Sequence, residues 1–268
     1  MYVDSHCHLS YPELVDDWPR IRAAMQTAQV DRALCICTTL EEFECVHALA
    51  LDNVNLWCTV GVHPDNEGVA EPTLQTLIEL AGREKVVGIG ETGLDYYDMQ
   101  GRKGGRSIAD MEWQRERFRT HIRAARQVRK PLVIHTRDSA QATLQILAEE
   151  GEDGARNLAG GVFHCFAEDV AVARQVLEMG YYISFSGIVT FKNAKALKEV
   201  AQFVPLDRML IETDSPYLAP VPYRGKVNNP SYVVHVAEHI AQLRGITPQA
   251  VGEATSRNFA NLFTGVQA

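Results

Sequence analysis

Eight short apolar runs, each separated from the next by polar or helically spaced sequence, constrain this chain more than any other feature. They are YVDSHCH from 2, ALCICTT from 33, LWCTVGVH from 56, VVGIGETG from 86, LVIHT from 132, GVFHCF from 161, YYISFSG from 181 and MLIETDS from 209. Each is rich in Val, Ile, aromatic or Cys residues, as buried strands are, and most are too short to be helices. Helical spacing is read over 21–28, 74–81, 112–127, 139–149, 169–179, 193–202, 231–243 and 248–263. In 112–127, Phe118, Ile122 and Ala125 share one face. Thr247 before Pro248 reads as an N-cap followed by proline at the first helical position. Strand then helix, repeated about eight times, predicts a parallel (β/α)₈ TIM barrel forming one domain over 1–268. An open doubly wound sheet has the same alternation, but it gathers its ligand at one switch point. Here the candidate site residues come from strands spread along the whole chain.

Charge narrows the functional classes. Twenty-six Lys and Arg against 34 Asp and Glu give a net charge of −8, which argues against coating long nucleic acid through a broad basic face. A pocket that holds one phosphate remains compatible with an acidic surface. No apolar run approaches the ~20 residues of a membrane span, so no membrane partner is expected. The opening MYVDSHCHL lacks the basic and apolar regions of a secretory signal. Four of the 6 cysteines (Cys35, Cys37, Cys58 and Cys165) lie in strand-like runs and read as reduced packing residues, so a cytoplasmic location is expected. The stretch 98–110, rich in Gly and basic residues, reads as a mobile loop after the fourth strand.

The chemistry begins at Asp4-Ser5-His6-Cys7-His8. Alternate strand residues face the same way, so His6 and His8 point together and can chelate one ion. Cys7 and Cys165, next to proposed ligands, are expected to face away. Glu91 is expected where the fourth strand stops, His135 and His164 at the ends of the fifth and sixth, and Glu212 and Asp214 at the end of the eighth. In a barrel these ends meet on the face where active sites sit. A carboxylate at the end of an apolar run is costly unless paired or bound to a cation. Four imidazoles with two carboxylates exceed the needs of one catalytic ion and suit two divalent metal ions bridged by a carboxylate. Zn, Mn, Co or Ni fits such ligands, and Mg fits them less well. Two such ions lower the pKa of bound water and clamp the oxygens of a phosphodiester.

These residues resemble those of the TatD-type metal-dependent deoxyribonucleases of the amidohydrolase superfamily. The matching motifs are DSHCHL at 4, GVHP at 61, GETGLDYY at 90, PLVIHTRD at 131, FHCF at 163, SFSGIVTF at 184, ETDSPYLAP at 212 and PYRGKVNNP at 222, in the family's order, with SRNFANLF at the end. The resemblance implies an amidohydrolase-like barrel, a binuclear site and phosphodiester hydrolysis at DNA ends. It makes His6, His8 and Asp214 ligands of one ion. Glu91 becomes the bridge to a second ion completed by His135 and His164, taking the place of the carbamylated lysine of many related hydrolases. Asp214 is then the base that orients and deprotonates the attacking water, with Glu91 the other catalytic carboxylate.

His63, before Pro64, is expected to donate to a substrate phosphate. Arg137 either grips a phosphate or pairs with Asp138 or Glu91. Arg224 and Lys226 lie in a loop after the eighth strand that suits anion binding. Glu212 shares a face with Asp214 and either accepts from a ligating imidazole or pairs with a base such as Arg137. Tyr96, Tyr97 and Tyr217 either stack on bases or pack the rim. The expected reaction is 3′-5′ exonucleolysis of single-stranded DNA ends. The alternatives are ester or amide hydrolysis, such as aminoacyl-tRNA deacylation or lactone hydrolysis, with RNA or tRNA as a possible substrate, and a non-enzymatic metal-bearing binding module.

Overall fold

The computed structural model describes residues 1–152 and 159–266. Each of the eight apolar runs forms a strand: β1 (Tyr2–Cys7), β2 (Val30–Cys35), β3 (Leu56–Val60), β4 (Val86–Asp95), β5 (Leu132–Arg137), β6 (Gly161–Phe163), β7 (Tyr182–Phe185) and β8 (Met209–Ile211). They pair in parallel in sequence order, β1 through β8. The ends of the sheet meet where Cys7 bridges in parallel to Ser215. There the Asp214 N–H donates to the His6 carbonyl at 2.9 Å and the His8 N–H to the Ser215 carbonyl at 2.8 Å. The fold is therefore a (β/α)₈ TIM barrel, as the alternation predicted.

Helices α1 (Pro12–Val15), α2 (Trp18–Thr27), α3 (Phe43–Leu51), α4 (Leu74–Ala81), α5 (Glu112–Val128), α6 (Ala140–Glu149), α7 (Val170–Glu178), α8 (Lys195–Phe203), α9 (Val233–Arg244) and α10 (Pro248–Leu262) surround the strands. Thr247 caps α10 as expected, its side chain accepting from the Ala250 N–H. Helical spacing does not mark α3. Its residues, FECVHALAL, are too uniformly apolar to show a polar face. None of the helices among the described residues is long and apolar enough to cross a membrane.

One apolar cluster takes a residue from each strand: Val3, Leu34, Trp57, Val87, Val133, Val162, Tyr182 and Leu210. The opposite strand faces pack with the helices in a separate, larger cluster, so this one fills the barrel interior. Phe259 and Phe263 near the end of α10 pack into the same cluster. Two residues further along their strands, Val133 gives way to His135, Val162 to His164 and Leu210 to Glu212. Period-two alternation thus stacks the polar groups directly above the apolar floor.

β4 runs past Glu91 to Asp95, which corrects the expectation that the strand stops at Glu91. A register irregularity lies between Ile89 and Thr92, and pairing to β5 resumes with Thr92 opposite Ile134 and Gly93 opposite His135. The extension is held from outside by α5, which buries Gln114, Arg117 and His121 as well as its apolar face. Gln114 Oε1 accepts from the Asp95 N–H at 3.0 Å. His121 Nε2 accepts from the Val62 N–H at 3.0 Å. Arg117 donates to the carbonyls of His63 and Asn66 and pairs with Glu71. One helix face thus fixes the segments that follow β3 and run through β4. The stretch 98–110, expected to be mobile, is tied to the segment after β3 by ion pairs of Arg102 and Lys103 with Asp65 and of Arg106 with Glu67.

Candidate metal centre

The six expected ligands converge at the carboxyl ends of the strands, around Glu91. Its side chain reaches the middle of the barrel mouth because the backbones of β3 and β4 come close together there. A Cβ on Gly61 would lie 2.4 Å from the Gly90 carbonyl carbon, so no other residue fits. Glu91 is buried at 2% exposure, and its N–H donates to the Cys37 carbonyl at 2.8 Å.

The two oxygens of Glu91 face different groups of nitrogens. Oε2 lies 3.4 Å from His6 Nε2 and 4.0 Å from His8 Nε2. Oε1 lies 2.8 Å from His164 Nε2, 3.1 Å from His135 Nδ1 and 3.3 Å from His63 Nε2. Asp214 Oδ1 completes the first group, 3.5 Å from His6 Nε2 and 3.4 Å from His8 Nε2. Asp214 has φ 56°, a left-handed turn that Asp tolerates better than most residues. The turn follows Thr213, whose N–H and hydroxyl both donate to the buried Asp4 carboxylate across the closing seam.

Burial opposes the charge on Glu91, but His164, His63 and His135 outweigh it and hold the carboxyl well below its ordinary range. Burial likewise opposes charge on Asp214, and His8, His6 and His164 outweigh it, so this carboxyl too stays ionised. Burial and the neighbouring His164 lower His6 below the usual histidine range. The donor set fits divalent cations. The sets His6–His8–Asp214 and His63–Glu91–His135 each hold their ligand atoms within 4.8 Å of one another. The buried Nδ1 atoms of His6 and His8 also have no hydrogen-bond partner.

Carboxylates behind the imidazoles set their orientation. His164 Nδ1 donates to Glu212 Oε1 at 3.2 Å, leaving Nε2 toward Glu91. Glu212 is fully buried and makes no ion pair with Arg137 among the described residues. His135 Nε2 faces Asp95 Oδ2 at 3.1 Å, leaving Nδ1 toward Glu91. Asp95 is not among the expected site residues, although alternation from Glu91 through Gly93 carries it on one face, because a strand ending at Glu91 would leave it outside the site. The Asp65 N–H donates to His63 Nδ1 at 3.1 Å, so neutral His63 carries its proton on Nε2 and presents a donor there.

These groups lie at the base of a cavity of about 590 Å³. Tyr11, Ile188, Tyr217 and Leu218 line one part of its wall, and Asp65, Asn66, Arg102 and Arg137 another. Arg137 pairs with neither Asp138 nor Glu91 among the described residues; its guanidinium stacks 3.5 Å over the Tyr97 ring. Arg224, stacked 3.5 Å over Phe191, and Lys226 are exposed and do not line this cavity. Tyr217 and Tyr97 are exposed, whereas Tyr96 is buried and its hydroxyl accepts from Arg115. Cys7 turns into the core and donates to the Leu34 carbonyl. Cys165 does not follow the expectation that it faces away, because it lines the cavity. β6 has ended by then, and φ 44° at Cys165 breaks the alternation.

Known proteins share this architecture. The model of the TatD related DNase family matches residues 3–264. A protein of Escherichia coli K12 named as an uncharacterized metal-dependent hydrolase, YcfH, is 44% identical over 97% of this chain and 95% of its own. A 3'-5' ssDNA/RNA exonuclease, TatD of Citrobacter rodentium, is 31% identical over 97% of each chain. The crystal structure of YjjV, a TatD homologue from Escherichia coli K12, superposes with a TM-score of 0.87 at 26% identity, covering 98% of both chains.

Proposed function

The chain belongs to the TatD related DNase family, and from that premise we propose that it is a metal-dependent phosphodiesterase acting as a 3′-5′ exodeoxyribonuclease on single-stranded ends. One observation carries the reading. Glu91 turns Oε2 toward His6 and His8 and Oε1 toward His135 and His164, the disposition of a carboxylate shared between two cations. His6, His8 and Asp214 would hold one cation and His135 and His164 the other, with Glu91 common to both. Divalent ions in these positions supply Lewis acidity and make water a stronger acid.

The protein's own groups do the rest. Asp214 Oδ1 orients the attacking water and takes its proton. Held below the ordinary carboxylate range, Asp214 is a weak base on its own. The water oxygen bonds to phosphorus as the P–O bond to the departing sugar breaks, and the released sugar oxygen takes up a proton from solvent. His63 Nε2–H donates to a phosphate oxygen. Arg137, without an ion pair among the described residues and stacked on Tyr97, offers a two-pronged donor to the same anion. Tyr217, 56% exposed on the cavity wall, provides a face for a base. The name of the Citrobacter rodentium relative supports a nucleic-acid substrate.

Metal quantification on purified protein, paired with a product map on end-labelled DNA, tests this reading. It expects two divalent ions per chain and mononucleotides released from the 3′ end. Hydrolysis of an aminoacyl-tRNA or a lactone with no cleavage of DNA would replace it with ester or amide hydrolysis. Failure on every such substrate with several metals would leave a binding module.

A further inference from the structure

Within the cavity wall, one cation has no part in the chemistry above. Arg102 lies in the 98–110 stretch, lines the cavity and keeps a half-exposed side chain at 53%. It pairs with Asp65, whose N–H holds His63 Nδ1, so Arg102 sits one residue contact away from the proposed phosphate donor. Asp65 does not depend on Arg102 for neutralisation. The buried ammonium of Lys103 pairs with the same carboxylate and lies 3.5 Å from Asp95. Lys103 is the anchor of the stretch and Arg102 its spare cation, able to exchange Asp65 for an incoming anion without leaving that carboxylate unpaired. Tyr97, under Arg137, is followed directly by this stretch, and the Tyr96 N–H joins the Arg137 carbonyl at 2.8 Å. Two guanidinium groups therefore flank the cavity on the β4–β5 side, while Ile188, Tyr217 and Leu218 bring apolar surface. A strand of alternating phosphates and bases matches that division.

We propose that Arg102 forms a second phosphate subsite, binding the phosphodiester next to the one being cut and selecting a nucleic-acid strand over an isolated phosphodiester. The inference rests on the nuclease reading of the same site. Its test uses the metal-loaded protein and a fluorescein-labelled single-stranded oligonucleotide with phosphorothioate linkages that retard cleavage. Anisotropy over a salt series gives Kd and its salt slope, and bis(p-nitrophenyl) phosphate hydrolysis gives turnover on a single phosphodiester. Arg102→Ala is expected to weaken oligonucleotide binding about tenfold and flatten the slope of log Kd against log salt by about 0.7. The loss on bis(p-nitrophenyl) phosphate is expected to be smaller. Arg102→Lys is expected to restore the slope. Arg22→Ala, exposed on a separate cavity with Met1 and Val54, makes the same change in net charge and is expected to move neither quantity. An unchanged slope in Arg102→Ala overturns the inference, as does an equal loss on strand and small diester. If the wild-type protein hydrolyses the small diester but does not bind the strand, the nucleic-acid reading fails and this inference with it.

Discussion

Asp214 Oδ1 stands within 3.5 Å of His6 Nε2 and 3.4 Å of His8 Nε2, where a carboxylate can serve both as a ligand and as a proton acceptor. Asp214→Asn removes the charge and keeps the shape. Turnover of a phosphodiester in the metal-replete protein should fall by orders of magnitude, on the order of 10²-fold or more, with the circular dichroism spectrum unchanged. Near-wild-type turnover would remove Asp214 from the mechanism. Asp95 acts one contact further out, on His135 Nε2. Asp95→Asn should weaken metal binding about 10–100-fold, the usual cost of losing an acceptor behind a ligating imidazole. Calorimetric titration of the metal-free protein reads this directly, and an unchanged affinity would rule out the orienting role. Residue types and alternation made most of this legible. His6, His8, His135, His164 and Asp214 can be read from runs such as DSHCH and PLVIHT, because a polar group ending an apolar run is costly without a partner. Arg102 carries no such signal, since Gly-rich basic segments are ordinarily solvated.

Helix α5 shows what periodicity conveys and what it hides. Its spacing predicted the helix and the face of Phe118, Ile122 and Ala125. It could not reveal that Gln114, Arg117 and His121 are also buried, because their partners are backbone groups of the β3 and β4 segments, far away in sequence. His121 accepts from the Val62 N–H and donates from Nδ1 to the Arg117 carbonyl, so it must be neutral. Burial pushes its pKa down to about 4, from 6.5. Above pH 6.5 neither folded nor unfolded chains bind the proton and the contribution is intact; as pH falls toward 4 the unfolded chain binds a proton that the folded one refuses, and stability drops. The loss is roughly 3 kcal/mol. His121→Gln keeps an acceptor without titrating. Denaturant unfolding from pH 7 to pH 4 should show a shallower decline in the variant than in the wild type, and parallel declines would refute the assignment.

Across the whole molecule, the candidate ligands tie β1, β4, β5 and the segments after β6 and β8 to a common centre. A cation there would cross-link the mouth of the barrel and bind the folded chain in preference to the unfolded one. Stripping metal with EDTA should lower Tm by about 5–15 °C, and metal added back should restore it, since ligand at ~1,000 Kd is worth about 4 kcal/mol. No shift in Tm would mean that no tight metal resides in the folded protein. The sequence alone determined the eight strands and most of the polar groups that follow their apolar runs, because burial of alternating side chains follows from local pattern. Tertiary structure alone decided how β4 continues through Asp95 and how Glu91 divides its two oxygens. It also brought Asp65 from the segment after β3 against Arg102 and Lys103 of the stretch after β4. Those outcomes depend on backbone approach and long-range hydrogen bonds, such as that between the Glu91 N–H and the Cys37 carbonyl, and short-range periodicity holds no record of either.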